Sequence, residues 1–196
     1  MTADLDPRST DPIDLKDDAI GVQSDPALSF TRPELRELLD IWNEKRRGRR
    51  MPARAELSPF DFPAHLGHLF IVGIDSVPRR FRYRLVGTEI TKILRRDATG
   101  RYFEEAYEGR LLATLTEFFS WVAIERVPLR IYCLTGHPRN PVYAYDCVLL
   151  PLSADGDTVN MILGELRFTP QRADEKPHER KRSASARHRR GLPPAA

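Results

Sequence analysis

Apolar and polar residues alternate every second position in some stretches of the chain and recur at helical spacing in others, and the two periods assign the elements. In "FRYRLVG", Phe81, Tyr83 and Leu85 fall on one face of an extended segment and Arg82 and Arg84 on the other, which predicts a half-buried strand. Two arginines on a sheet surface are most simply its solvated face, although phosphate contacts would use the same pair. The switch at Gly87 and Thr88 predicts a strand running directly into a helix. Gly87 tolerates backbone angles that other residues resist, and the Thr88 hydroxyl is placed to cap a helix beginning near Glu89. Just upstream, the apolar run "LFIVGID" predicts a buried strand.

Helical spacing dominates earlier and later. In "TRPELRELLDIW", Leu35, Leu38, Leu39 and Trp42 share one helical face, and Thr31 with Glu34 has the spacing of a reciprocal cap. This helix, over about 32–47, must pack against the sheet or against another subunit, and in the second case Leu35, Leu39 and Trp42 form a dimer contact. It runs into "KRRGRRMPAR", a basic cluster whose cations suit the negative end of the helix dipole. A second helix is predicted over 110–127, where Leu112, Leu115, Phe119 and Val122 keep the spacing while Leu111, Phe118 and Trp121 widen the apolar stripe. Three strand-like segments follow, "LRIYCLT", "VYAYDCVLLPL" and "VNMILGELRF". The order of helix, two strands, helices and three strands implies an α+β domain with a five-stranded, largely antiparallel sheet covered on one face by helices.

Charge changes the picture at the ends. Residues 1–28 hold seven acidic and two basic side chains, whereas 171–196 hold eight basic and three acidic ones. Both ends lack apolar periodicity, so 1–29 reads as an acidic disordered tail, 30–170 as the folded domain and 171–196 as a basic disordered tail. With 196 residues, 41% hydrophobic and 30% charged, the chain suits one globular domain with charged extensions. No apolar run approaches the roughly 20 residues that span a bilayer, and the acidic start is unlike a secretory signal, so a cytoplasmic protein without a membrane partner is expected. Cys133 and Cys147 have no zinc spacing. If their segments form a hairpin centred near His137 or Pro138, the thiols are offset along it and a disulfide is geometrically awkward.

This order of elements is that of a PAS domain, a small sensory and interaction module, and the wording agrees. "LLDIWNEKRRGRRMPARAELSPFDFPAHLGHLFIVGID" followed by "FRYRLVGTEITKILRRDATGRYFEE" resembles a PAS family of proteobacterial regulatory proteins that share W…RRG..MP.RA, D.P..L, RYRLVGT and D.TG, over about residues 33–168. The resemblance implies the strand order 2-1-5-4-3, with an N-terminal amphipathic helix. It also implies a chamber between helices and sheet that can hold a small ligand, faced by Tyr83, Leu85, Ile90, Phe103, Phe118, Trp121, Tyr145 and Cys147. For any one of these residues, plain hydrophobic core is the preferred reading.

No histidine lies in the segment 110–127, where heme-binding PAS domains place an axial ligand, and neither cysteine sits in the Asn-Cys-Arg motif of flavin photosensors. Heme and flavin are therefore not supported, and the cofactor stays unknown. His65 and His68 are three apart, but no third metal ligand is apparent. Phosphate-loop, GxGxxG, GxSxG and HExxH motifs are absent, and no catalytic residue is assigned. The expectation is a non-enzymatic signalling regulator that senses a small molecule, docks a partner protein, or both, and that pairs as a homodimer. A ligand-free interaction module with a filled core is the alternative. Weak nucleic-acid association through the basic segments ranks below both.

Overall fold

A computed structural model describes residues 22–137 and 140–171. The period-two stretches are strands and the helically spaced ones helices, in the order β1 (Gln23–Asp25), α1 (Pro33–Arg46), β2 (Leu69–Ser76), β3 (Arg79–Val86), α2 (Thr88–Leu94), α3 (Phe103–Ala106), α4 (Gly109–Glu125), β4 (Leu129–His137), β5 (Asn140–Leu152) and β6 (Met161–Gln171). Three 3₁₀ turns, Arg54–Glu56, Pro59–Asp61 and Leu66–His68, connect α1 to β2. All strand pairs are antiparallel, in the order β1-β4-β5-β6-β2-β3.

Leaving β1 aside, the sheet has the expected 2-1-5-4-3 order of five strands. The sixth strand is a correction, because Gln23–Asp25 falls in the stretch read as a disordered tail and instead pairs with Arg130–Tyr132 of β4. Its attachment is polar. Arg130 grips Asp146 with two bonds of 2.8 and 2.9 Å and reaches Asp25 at 3.2 Å, while Tyr132 donates to Gln23. Residues 26–29 of that stretch are ordered too, with the Ala27 and Ser29 N–H groups bonded to the Asp25 carboxylate and Leu28 packed against the core; residues 1–21 and 172–196 lie outside the described residues, and Gln171 itself belongs to β6.

Helices cover both faces of the sheet, not one. Register and alternation put Leu69, Ile71, Val148, Leu150, Leu163 and Glu165 on one face, under α1 and the 3₁₀ segment. Phe70, Val72, Cys147, Leu149, Ile162 and Gly164 point to the other, under α2, α3 and α4. Leu35, Leu38, Leu39 and Trp42 are all buried within their own chain, and the Trp42 indole donates to the Pro151 carbonyl at 2.9 Å. Each such burial contributes about 1.5–3 kcal/mol. The helix stripe, Leu35, Leu39 and Trp42 included, is thus covered by the sheet of its own chain.

Two expected caps also move. Pro33 occupies the first turn of α1, Arg32 becomes its cap residue without a side-chain bond, and the Thr31 hydroxyl donates instead to Asp146 at 3.3 Å. At α2 the cap is Gly87, and Thr88 is already helical. Gly87 has φ −67°, so it supplies no unusual backbone angle. It is needed for space, since a Cβ there would stand 2.3 Å from the Gly67 carbonyl oxygen.

The β4–β5 register places Cys133 opposite Tyr145 and Cys147 opposite Ile131, so the two cysteines are offset along the hairpin.

Candidate functional site

The chamber between the sheet and α2–α4 is occupied by aromatic rings. Phe103 lies at its centre, with ring centroids 4.9 Å from Phe119, 5.1 Å from Tyr83, 5.4 Å from Phe81 and 5.8 Å from Tyr107. Phe70 closes the stack against Tyr83 and Phe119. Its ring lies on the bare backbone of Gly164, where a Cβ would come within 2.0 Å of the ring. Edge-to-face geometry of this kind adds about 0.5–1.5 kcal/mol per pair beyond area burial.

One polar bond runs through the stack, between the Tyr83 and Tyr107 hydroxyls at 2.7 Å. Burial raises the pKa of both phenols, and of the enclosed Cys147 thiol, above their ordinary values. None of the three is poised to ionise near neutrality, which leaves Cys147 a poor nucleophile. Arg96, itself buried, donates to the carbonyls of Glu105 and Ala106 and so satisfies the end of α3.

Of the eight residues expected to face the chamber, Tyr83, Ile90, Phe103, Phe118 and Cys147 are buried in this core, and Trp121 and Tyr145 are half-buried. Leu85 is elsewhere. Ile71 pairs with Leu85 but Val72 pairs with Tyr83, so Arg84 is an extra residue in β3. This bulge turns Leu85 to the opposite face. Phe70, Phe81, Tyr107 and Phe119 complete the chamber and were not among the expected residues. Phe70 and Phe81 sat in the strands already predicted, where alternation of the side chains could have placed them.

Leu85 instead lines an apolar groove of about 310 Å³ on the face of the sheet that α1 shares. Leu57, Phe62, Leu66, Leu69, Ile71 and Leu163 form most of its wall, with Arg54 and Thr88 at its polar margin. The outer wall is held locally. Arg54 donates to the Leu57 carbonyl at 2.8 Å, the Asp61 carboxylate accepts from the Ser58 backbone at 2.7 Å, and Lys45 pairs with Asp61 at 2.5 Å. The inner wall is closed by the contact of Gly87 with Gly67 and by the Gly87 N–H bond to the Leu69 carbonyl at 2.7 Å. The turn Pro59–Asp61 leaves Phe60 projecting from the rim, 92% exposed.

Behind this wall lie His65 and His68. His65 turns inward to Glu165, so the pair does not share a ligand site. Among the described residues no three His, Cys, Asp or Glu side chains are grouped to hold a metal ion, and no helix is long and apolar enough to cross a membrane. In the basic cluster, Lys45 and Arg49 are engaged by Asp61 and Glu56, and Arg46 bonds Asn43 and the Arg49 carbonyl.

No curated protein shows significant similarity to the chain. Residues 30–167 match the family model for the PAS domain, a span that contains α1, the five-strand core of the sheet except the last four residues of β6, and both the chamber and the groove. The architecture and this match agree, and the chain belongs to the PAS-domain family, whose members are in general sensory and interaction modules.

Proposed function

We propose that this protein is a non-enzymatic, cytoplasmic signalling regulator that acts as an interaction module with a filled interior. One observation carries the reading: the space in which a PAS domain can enclose a ligand is taken up by the packed rings of Phe70, Phe81, Tyr83, Phe103, Tyr107 and Phe119. Close-packed interiors leave little room for a guest. The elevated thiol and phenol pKa values, which leave Cys147 a poor nucleophile, agree with a protein that acts through contacts.

The test is a comparison of native and denaturing mass spectra of the purified protein. The filled-interior reading expects no small molecule to leave on denaturation. A retained compound would overturn it in favour of the sensing role, and turnover of a nucleotide or small metabolite by the pure protein would remove the non-enzymatic part.

A further inference from the structure

The groove and Phe60 form a hole and a knob side by side on one surface. Phe60 is a large aromatic side chain almost wholly in water, its neighbour Pro59 lines the groove, and Leu66 and Leu85 of the same lining are exposed at 44% and 41%. Projecting a phenyl ring into solvent gains nothing for the monomer. Its neighbours Ser58 and Asp61 hold the turn in place, so the ring is presented from a fixed backbone. The adjoining groove is apolar and large enough for such a ring. Arg54 lies on one margin, and Glu89 packs beside Gly67 on another, so the rim carries both signs of charge.

A surface that bears both a knob and a hole fits a copy of itself related by a two-fold axis, because each partner then receives what it offers. We infer that this face is a self-association surface on which Phe60 of each chain enters the groove of a second copy. The inference rests on reading the domain as an interaction module and gives that module its partner. The 13 lining residues and Phe60 are fewer than the roughly 20–30 residues per side of a standard interface, so the pair forms and dissociates with concentration.

Sedimentation velocity of the full chain over a concentration series tests it, with circular dichroism to check the fold. Wild type is expected to pass from one chain to two as concentration rises. Phe60→Asp removes the knob and Leu85→Arg blocks the hole, and each is expected to weaken pairing about tenfold or more. Mixing the two variants leaves one intact knob facing one intact hole, so the mixture is expected to pair better than either variant alone. A wild type that stays single throughout, a Phe60→Asp protein that pairs like wild type, or growth beyond two chains would each overturn the closed pair. Single chains without a bound compound would remove the pairing and leave the filled interior standing, whereas pairs carrying a compound would do the reverse.

Discussion

His65 and Glu165 lie against each other beneath the 3₁₀ segment, the imidazole Nδ1 2.9 Å from the carboxylate, with 1% and 0% of the side chains exposed. Arg167 holds the other oxygen of Glu165 at 2.5 Å, and the largely exposed Glu37 carboxylate stands 3.6 Å from His65 Nε2. A buried carboxylate on a central strand is costly unless paired, and here it is held by the Arg167 guanidinium and the His65 imidazole. The bond to Glu165 raises the His65 pKa above its ordinary value against the opposing effect of burial.

The sign of the resulting pH dependence follows from that shift. A histidine whose pKa is raised by folding stabilises fully below its unfolded value near 6.5, and the contribution fades as pH rises through the folded value. Replacing His65 by Gln is therefore expected to cost about 2 kcal/mol at pH 6 and less at pH 8.5, read from urea denaturation at both values. His68 behaves in the opposite sense, since burial and Arg167 lower its pKa. His68→Gln removes a penalty that grows as pH falls, so its effect on stability turns favourable on the acid side. A His65 effect that is larger at pH 8.5 than at pH 6 would contradict the arrangement.

Phe103 is the ring around which the chamber packs. Phe103→Ala is expected to destabilise by about 3–5 kcal/mol and to leave an apolar void. Such voids stay dry and accept small aromatic compounds. Benzene or indole should then raise the melting temperature of the variant and not of wild type, with Phe103→Leu as a milder substitute if the alanine protein fails to fold. A similar rise for wild type would mean that room already exists.

Gly164 tests the packing from the other side. An alanine there collides with the Phe70 ring, so Gly164→Ala should cost about 1–3 kcal/mol by forcing the ring off its site. Trimming the ring in a Gly164→Ala/Phe70→Leu double variant should recover part of the loss. Denaturant midpoints decide the matter, and a neutral Gly164→Ala would show that Phe70 has space to move.

Removing Asp146 leaves Arg130 enclosed with Asp25 alone. Asp146→Ala is expected to cost about 3–5 kcal/mol, the range for breaking a buried ion pair, and to raise hydrogen exchange at Gln23–Asp25 above that at β6. Unchanged protection of β1 would show that backbone pairing alone holds it.

Much of this architecture is legible along the chain because local periods and core burial coincide. "LFIVGID" and "LRIYCLT" could hardly be anything but strands, and the stripe Leu35, Leu38, Leu39 and Trp42 fixed a helix with one covered face. What failed to show depends on partners distant in sequence. The bulge at Arg84 arises from pairing with β2, so perfect alternation in "FRYRLVG" concealed the turn of Leu85 to the other side. Thr31 has an ideal capping spacing, yet Asp146, far along the chain, takes its hydroxyl. The groove draws its walls from 54–69, 71, 85–88 and 163, pieces with no common period, and no local pattern announces it. Aromatic residues can be counted from sequence, but whether they fill a chamber or line one is decided only by how the rings meet.

The short strand β1 has a practical consequence. It precedes the matched span of 30–167, so a protein that starts at residue 30 and keeps its C-terminal end would uncover the outer backbone of Arg130–Tyr132 in β4 and deprive Arg130 of Asp25. Unpaired strand edges recruit further strands from neighbouring molecules, and the trimmed protein should precipitate at concentrations where the longer one stays clear. Three residues outside the family's own boundary thus cover the backbone of Arg130–Tyr132 at one edge of the sheet.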